Sequence, residues 1–117
     1  VIDMITDGQE EREFLYAQDC CEALETVMNN YDDFKSEDEL HVTSFNSIKI
    51  IDIAHIIQQK FEMIGKNVIV KPSIDIDTVQ QNSKNIASRY LTNWWKPKTS
   101  LDDGISKVFT SMKKNYD

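Results

Sequence analysis

Between Ser47 and Phe61, Ile50, Ile53, Ala54, Ile57 and Phe61 fall at helical spacing, and Ile48, Ile51 and Ile56 widen the stripe. An apolar face this broad does not suit a helix with one wet side; it calls for burial on more than one side. The chain must therefore fold around this segment, with Ser47 as its expected N-cap. The remaining elements are short, punctuated only by Gly8, Gly65, Gly104, Pro72 and Pro97.

Three further helices are expected. Asp19 with Glu22 three residues on reads as a capping box opening the first. Cys20, Ala23, Leu24, Val27 and Met28 form its apolar face, with Cys20 inward. Ser83 to Leu91 reads as a shorter helix with Ile86, Ala87, Tyr90 and Leu91 inward. Ser100-Leu101-Asp102-Asp103 is a second capping box, followed by Leu101, Ile105, Val108, Phe109 and Met112 along one side. Lys113 and Lys114 suit the negative end of that helix, and Pro97 fixes the approach to it. Strand candidates are Ile2 to Ile5, Glu13 to Tyr16, Leu40 to Thr43 and Asn67 to Val70. Asn29 to Glu39, clustered around a lone Phe34, is expected to be a mobile loop. Short strands alternating with about four helices predict an α/β architecture.

With 117 residues, 40% of them apolar and 28% charged, the composition is that of one small globular domain. The net charge of −7 is uneven. Residues 1–40 carry 13 acids against 2 bases, whereas residues 41–117 carry 7 against 11. An acidic chain of this kind argues against nucleic acid, whose phosphates need clustered Lys and Arg. No apolar run is long enough to span a bilayer, and no signal-like N-terminus is present. The chain begins at Val1 in a strand-like stretch without an initiator Met, which suggests a segment of a longer protein. Cys20 and Cys21 are adjacent and ill placed for a mutual disulfide, so a reduced, cytoplasmic setting is expected. His41 and His55 lie too far apart to build a zinc site at the usual spacing.

Several familiar chemistries are missing. There is no GxGxxG and no GxxxxGK[ST] to cradle phosphates, and no GxSxG elbow to carry a nucleophile. Asp32-Asp33, Asp75/Asp77 and Asp102-Asp103 read as two loops and a helix cap rather than as acid/base pairs, which need a shielded cleft. Trp94-Trp95 predicts one buried and one partly exposed indole. The exposed one suits stacking on a base or sugar, and the pair suits a hydrophobic plug beside Pro97. Arg12, the single Arg of the first 40 residues, lies within Glu10-Glu11-Arg12-Glu13. Its guanidinium suits bidentate phosphate binding and equally a structural ion pair with its acidic neighbours.

Three motifs in order carry a family resemblance. Asp7-Gly8-Gln9-Glu10-Glu11-Arg12-Glu13-Phe14-Leu15-Tyr16-Ala17-Gln18-Asp19 resembles the G-D-G-x-x-x-R-D-F-x-Y-V-x-D segment of the extended short-chain dehydrogenases/reductases, the NAD-dependent nucleotide-sugar epimerases and dehydratases. His41-Val42-Thr43-Ser44-Phe45-Asn46-Ser47-Ile48 is similar to their Y-N-I-G-x-x-x-S-I stretch, with Val42-Thr43-Ser44 replacing the N-I-G turn. Leu91 to Ile105 resembles their L-G-W-x-P-x-T-S-L-x-E-G-I ending, and Ser83-Lys84 their preceding S-K. The family's Arg before that S-K has no counterpart near Ile76-Asp77 and Gln81.

The resemblance implies that residues 1–117 are one C-terminal substrate-binding domain of a Rossmann-type α/β enzyme. The NAD-binding N-terminal Rossmann domain, with its glycine-rich turn and Tyr-x-x-x-Lys, is absent from this chain. It implies a nucleotide-sugar ligand, NAD(P) in the parent enzyme and none bound by this chain alone, and no catalytic residue here. Arg12 matches the Arg that contacts the diphosphate, Asn46 an amide near the nucleotide, and Ile5 a position near the base. Trp94 matches the structural tryptophan, and Trp95 has no counterpart. The missing domain would be the chain's partner and its absence would bare a strand edge through which two copies could pair. The alternative is a non-catalytic interaction or assembly domain descended from the same family.

Overall fold

In a computed structural model, residues 1–35, 40–78 and 89–116 are described. Their elements run β1 (Ile2–Asp3), β2 (Glu11–Glu13), α1 (Ala17–Asn29), a 3₁₀ turn (Tyr31–Asp33), β3 (Ser47–Lys49), α2 (Ile50–Met63), β4 (Val70–Lys71), α3 (Arg89–Trp94) and α4 (Leu101–Tyr116). The mixed α/β class expected from the sequence is the one observed. The strands form two separate pairs: β1 with β4 in parallel, and β2 with β3 antiparallel.

The antiparallel ribbon sets Arg12 opposite Ile48 and Glu13 opposite Ser47. It also corrects the start of the long helix. Ser47 lies in β3, its hydroxyl donating to Glu11 Oε2 at 2.9 Å, and α2 begins three residues later without a side-chain cap. Its first amides are satisfied by backbone instead: Ile50 N–H donates to the Glu10 carbonyl (3.1 Å) and Ile51 N–H to that of Gly8 (3.0 Å). Gly8 must be a glycine for this. Its φ is +75°, and a Cβ there would meet the Ile51 backbone nitrogen at 2.9 Å. At the other end α2 stops in a Schellman motif, with Lys66 N–H bonded to the Phe61 carbonyl and Gly65 N–H, at φ +75°, to that of Glu62.

The first helix also departs from expectation. It begins at Ala17, and Asp19 caps nothing within it. Asp19 is buried and turned toward the chain that precedes α4. The buried side of α1 is consequently Asp19, Ala23 and half-buried Val27, while Leu24 and Met28 point outward. A hydrogen-bonded carboxylate has taken the inward place that hydrophobicity alone would assign to leucine.

The Glu13 to Tyr16 strand is also shifted, since β2 ends where it was to start. Leu40 to Thr43 forms no strand. Leu40 and Val42 instead pack on the core cluster of Ala23, Leu91 and Trp95. The backbone then turns at Phe45, a non-glycine residue at φ 55°. Thr43 is buried there, and its hydroxyl donates to Glu13 Oε2 at 2.7 Å. With β2 already paired to β3, this stretch is tied down by side chains rather than by a ladder. The expected start of a helix at Ser83 lies outside the described residues, as does the end of the loop anticipated up to Glu39. The N-cap at Ser100 is present, its Oγ accepting Asp103 N–H at 3.1 Å, but the reciprocal half of the box is replaced by a side-chain bond, Ser100 Oγ donating to Asp103 Oδ2 at 2.7 Å.

The molecule is flat, 51 × 37 × 17 Å. Its radius of gyration is 17.2 Å, against about 13 Å for a compact chain of this length. Among the described residues the buried apolar side chains are Ala23, Ala54, Leu91 and Trp95.

Candidate functional site

Strand alternation sorts the side chains of the β2·β3 ribbon. Glu11 and Glu13 lie on one face, bonded to Ser47 and Thr43. Arg12 lies on the other, beside Ile48. The acids adjacent to Arg12 in sequence are therefore occupied elsewhere, and Glu10 accepts from the Thr6 hydroxyl. The guanidinium is held by a residue 65 positions away: Nη2 donates to Asp77 Oδ2, while Nη1 donates to the Glu11 carbonyl at 2.7 Å. Both side chains are largely buried, at 27% and 18% exposure.

Ile48 and Asn46 line a cleft of about 330 Å³ with Phe14 on one side and the turn from Pro97 to Leu101 on the other. Arg12 thus stands on the ribbon face next to this cleft, across the strand from Ile48. Asn46 is exposed, with its backbone fixed by Ser44 Oγ on both sides, N–H at 3.4 Å and carbonyl at 3.3 Å. The opposite wall is built by Asp19, which accepts the backbone N–H of Lys98 (3.1 Å) and of Thr99 (2.8 Å) and the Thr99 hydroxyl (3.2 Å). Lys98 itself reaches out to Glu22 at 2.7 Å. The hydrogen bond and charge of Glu22 raise its pKa above the ordinary value.

Ile5 lies apart from these residues. The β1·β4 ladder continues past its strands, with Met4 N–H on the Lys71 carbonyl, Ser73 N–H on that of Thr6 and Asp7 N–H on that of Asp75. Ile5 makes none of these bonds and is 90% exposed, as Ile74 and Ile76 across the ladder are also exposed. Of the three residues singled out, Asn46 lines the cleft, Arg12 lies on the ribbon across the strand from the cleft residue Ile48 without lining it, and Ile5 lies outside it, exposed to solvent.

The tryptophans divide as expected, with the identities reversed from the motif reading. Trp95 is the buried one and Trp94 is partly exposed, edge-on to Phe34 at 5.1 Å. Counted back from Pro97, it is Trp95 that fits W-x-P. A second, apolar groove of about 660 Å³ runs between α2 and α4, floored by Ile57, Phe61, Ile105 and Phe109. No three His, Cys, Asp or Glu side chains converge as a metal site among the described residues. No described helix is long and apolar enough to cross a membrane.

No protein-family model matches the chain. Over 112 residues, however, it is 31% identical to a GDP-L-fucose synthase of Sinorhizobium fredii (strain NBRC 101917 / NGR234), covering 92% of this chain and 32% of that protein. The chain is related to the extended short-chain dehydrogenases/reductases. Among solved structures, DdhaC superposes with a TM-score of 0.71 over 97% of this chain and 32% of its own, at 24% identity, and so supports the fold. The chain spans about a third of the length of each of these two proteins. The family is NAD(P)-dependent. Asp77, which the motifs passed over as part of a loop, is the residue that the sequence reading missed. Its one signal was the Ile74-Asp75-Ile76-Asp77 alternation, which sets the two acids on the side opposite the two isoleucines.

Proposed function

We propose that residues 1–117 form the C-terminal nucleotide-sugar-binding domain of an NAD(P)-dependent epimerase, dehydratase or reductase. Arg12 contacts the ligand diphosphate and Asn46 lies near the nucleotide; Ile5, outside the cleft, drops out of the expected set. The observation that supports the reading is Arg12, a partly buried guanidinium whose flanking Glu11 and Glu13 are turned to the other face and which stands across the strand from Ile48, a residue lining the cleft that contains Asn46. Nothing in these residues fits a cofactor pyrophosphate, since no glycine-rich turn leads from a strand into a helix. NAD(P), bound by the remainder of such an enzyme, supplies hydride transfer. This domain contributes binding energy and alignment, holding the remote phosphates so that the sugar sits at a defined position.

The test is calorimetric titration of the intact protein with GDP. Arg12→Ala is expected to weaken binding roughly 10- to 100-fold, the worth of a charge-assisted hydrogen bond. Unchanged affinity removes Arg12 from the site, whereas no GDP binding by the unaltered intact protein favours the assembly-domain alternative.

A further inference from the structure

We infer that Asp77 and a diphosphate compete for the Arg12 guanidinium, the diphosphate binding it by displacing the carboxylate. The inference rests on the reading of Arg12 as a diphosphate contact. A guanidinium offers its paired N–H groups to a carboxylate or a phosphate in the same manner, and here Nη2 is already given to Asp77. The acids that flank Arg12 in sequence do not do this, because Glu11 and Glu13 serve Ser47 and Thr43 on the opposite face. With both partners mostly shielded from water, the Arg12–Asp77 pair is only weakly screened by salt. A phosphate entering beside an intact pair would face the Asp77 carboxylate at close range.

The backbone permits the exchange. The last described tether of this stretch to β1 and the turn after it is the Asp75 carbonyl, which accepts Asp7 N–H at 2.7 Å. Asp77 lies two residues beyond it, between exposed Ile76 and Thr78. Among the described residues, the backbone bonds between the two strands and their extensions end at Asp75, so a change of partner at the Asp77 side chain does not break them. Arg12 keeps its orientation through the Nη1 bond to the Glu11 carbonyl, which belongs to its own strand. Asp77 then acts as a specificity-determining residue. Ligands that engage the guanidinium through a single weak anion do not outcompete the carboxylate, whereas a diphosphate with several oxygens does.

Two consequences separate this role from a structural one. Exchanging one anion for another leaves the number of ion pairs unchanged, so GDP binding to the unaltered protein is expected to depend little on salt. Asp77→Asn removes the competitor, and GDP is expected to bind about tenfold more tightly, with a steeper loss on adding salt. Loss of a merely structural ion pair would weaken binding. The experiment titrates GDP, and separately inorganic pyrophosphate, into the intact protein and its Asp77→Asn, Asp77→Ser and Arg12→Ala variants at low and high salt. Asp77→Ser guards against failure of the first variant to fold, and it must show the same gain. Tighter, more salt-sensitive binding in either folded Asp77 variant supports the inference. Equal or weaker binding there, with Arg12→Ala still impaired, overturns it and leaves the diphosphate reading intact. Arg12→Ala binding as well as the unaltered protein overturns that reading and this inference with it.

Discussion

Asp19 accepts two hydrogen bonds from Thr99, one from its backbone N–H at 2.8 Å and one from its hydroxyl at 3.2 Å, 80 residues away along the chain. A third comes from Lys98 N–H. One buried carboxylate thus joins the first turn of α1 to the turn that launches α4, and by doing so sets the far wall of the cleft opposite Asn46. Asp19→Ala leaves two partly buried backbone amides without that acceptor. It is expected to cost about 3 kcal/mol in urea denaturation, with Asp19→Asn retaining part of this because one oxygen acceptor survives. Losses within 0.5 kcal/mol, the range of ordinary surface substitutions, would show that the tether contributes nothing.

Gly8 and Gly65 share a φ of +75° but differ in their surroundings. An added methyl at Gly65 meets nothing within 4 Å, whereas at Gly8 it runs into Ile51. Gly65→Ala is expected to cost about 1 kcal/mol for the backbone conformation alone. Gly8→Ala should exceed that by at least another 1–3 kcal/mol of overpacking. It should also weaken GDP binding, because it parts the first turn of α2 from the stretch leading into Arg12. Equal costs at the two sites would contradict the close approach seen here.

The Lys98–Glu22 pair gives a pH dependence whose sign is fixed. The Lys98 pKa is raised in the folded chain, chiefly by its hydrogen bond to Glu22, above an ordinary value of 10.5. Folding therefore favours the charged ammonium. Its contribution is fully present below pH 10.5 and declines as pH rises through the higher folded-state pKa. Lys98→Met should remove this alkaline component of the thermal melting profile while leaving the neutral and acidic limbs parallel to those of the unaltered protein. An unchanged alkaline slope would mean that the exposed pair dissolves in solution.

Local signals survived translation into structure where the chemistry was local. Ser100 as N-cap to Asp103 needs nothing but one helical turn, and that half of the expected box forms. The broad isoleucine stripe became a helix because periodicity over 14 residues is hard to satisfy otherwise. Its start was misplaced because the partners of Ile50 and Ile51 are the carbonyls of Glu10 and Gly8, far upstream in the stretch before β2. Asp19 failed as a cap for the same reason, since its partners lie near the other end of the sequence. For Arg12 the motif singled out the residue, but Asp77 was invisible without the fold. In the Trp94-Trp95 pair, alternation foretold that one would be buried, and only the packing against Ala23 and Leu91 decided which.

A body 17 Å thick is little more than one helix and one ribbon deep, so most of its apolar side chains have a wet side. Mutational sensitivity will then be concentrated rather than spread. Truncating Leu24, Met28 or Ile74, each more than half exposed, should barely move the unfolding midpoint and should instead change how strongly the molecule clings to whatever covers it. The tethers at Asp19, Gly8 and Trp95 carry the opposite signature. In such a slab, solubility and stability become separately adjustable properties, written on different residues.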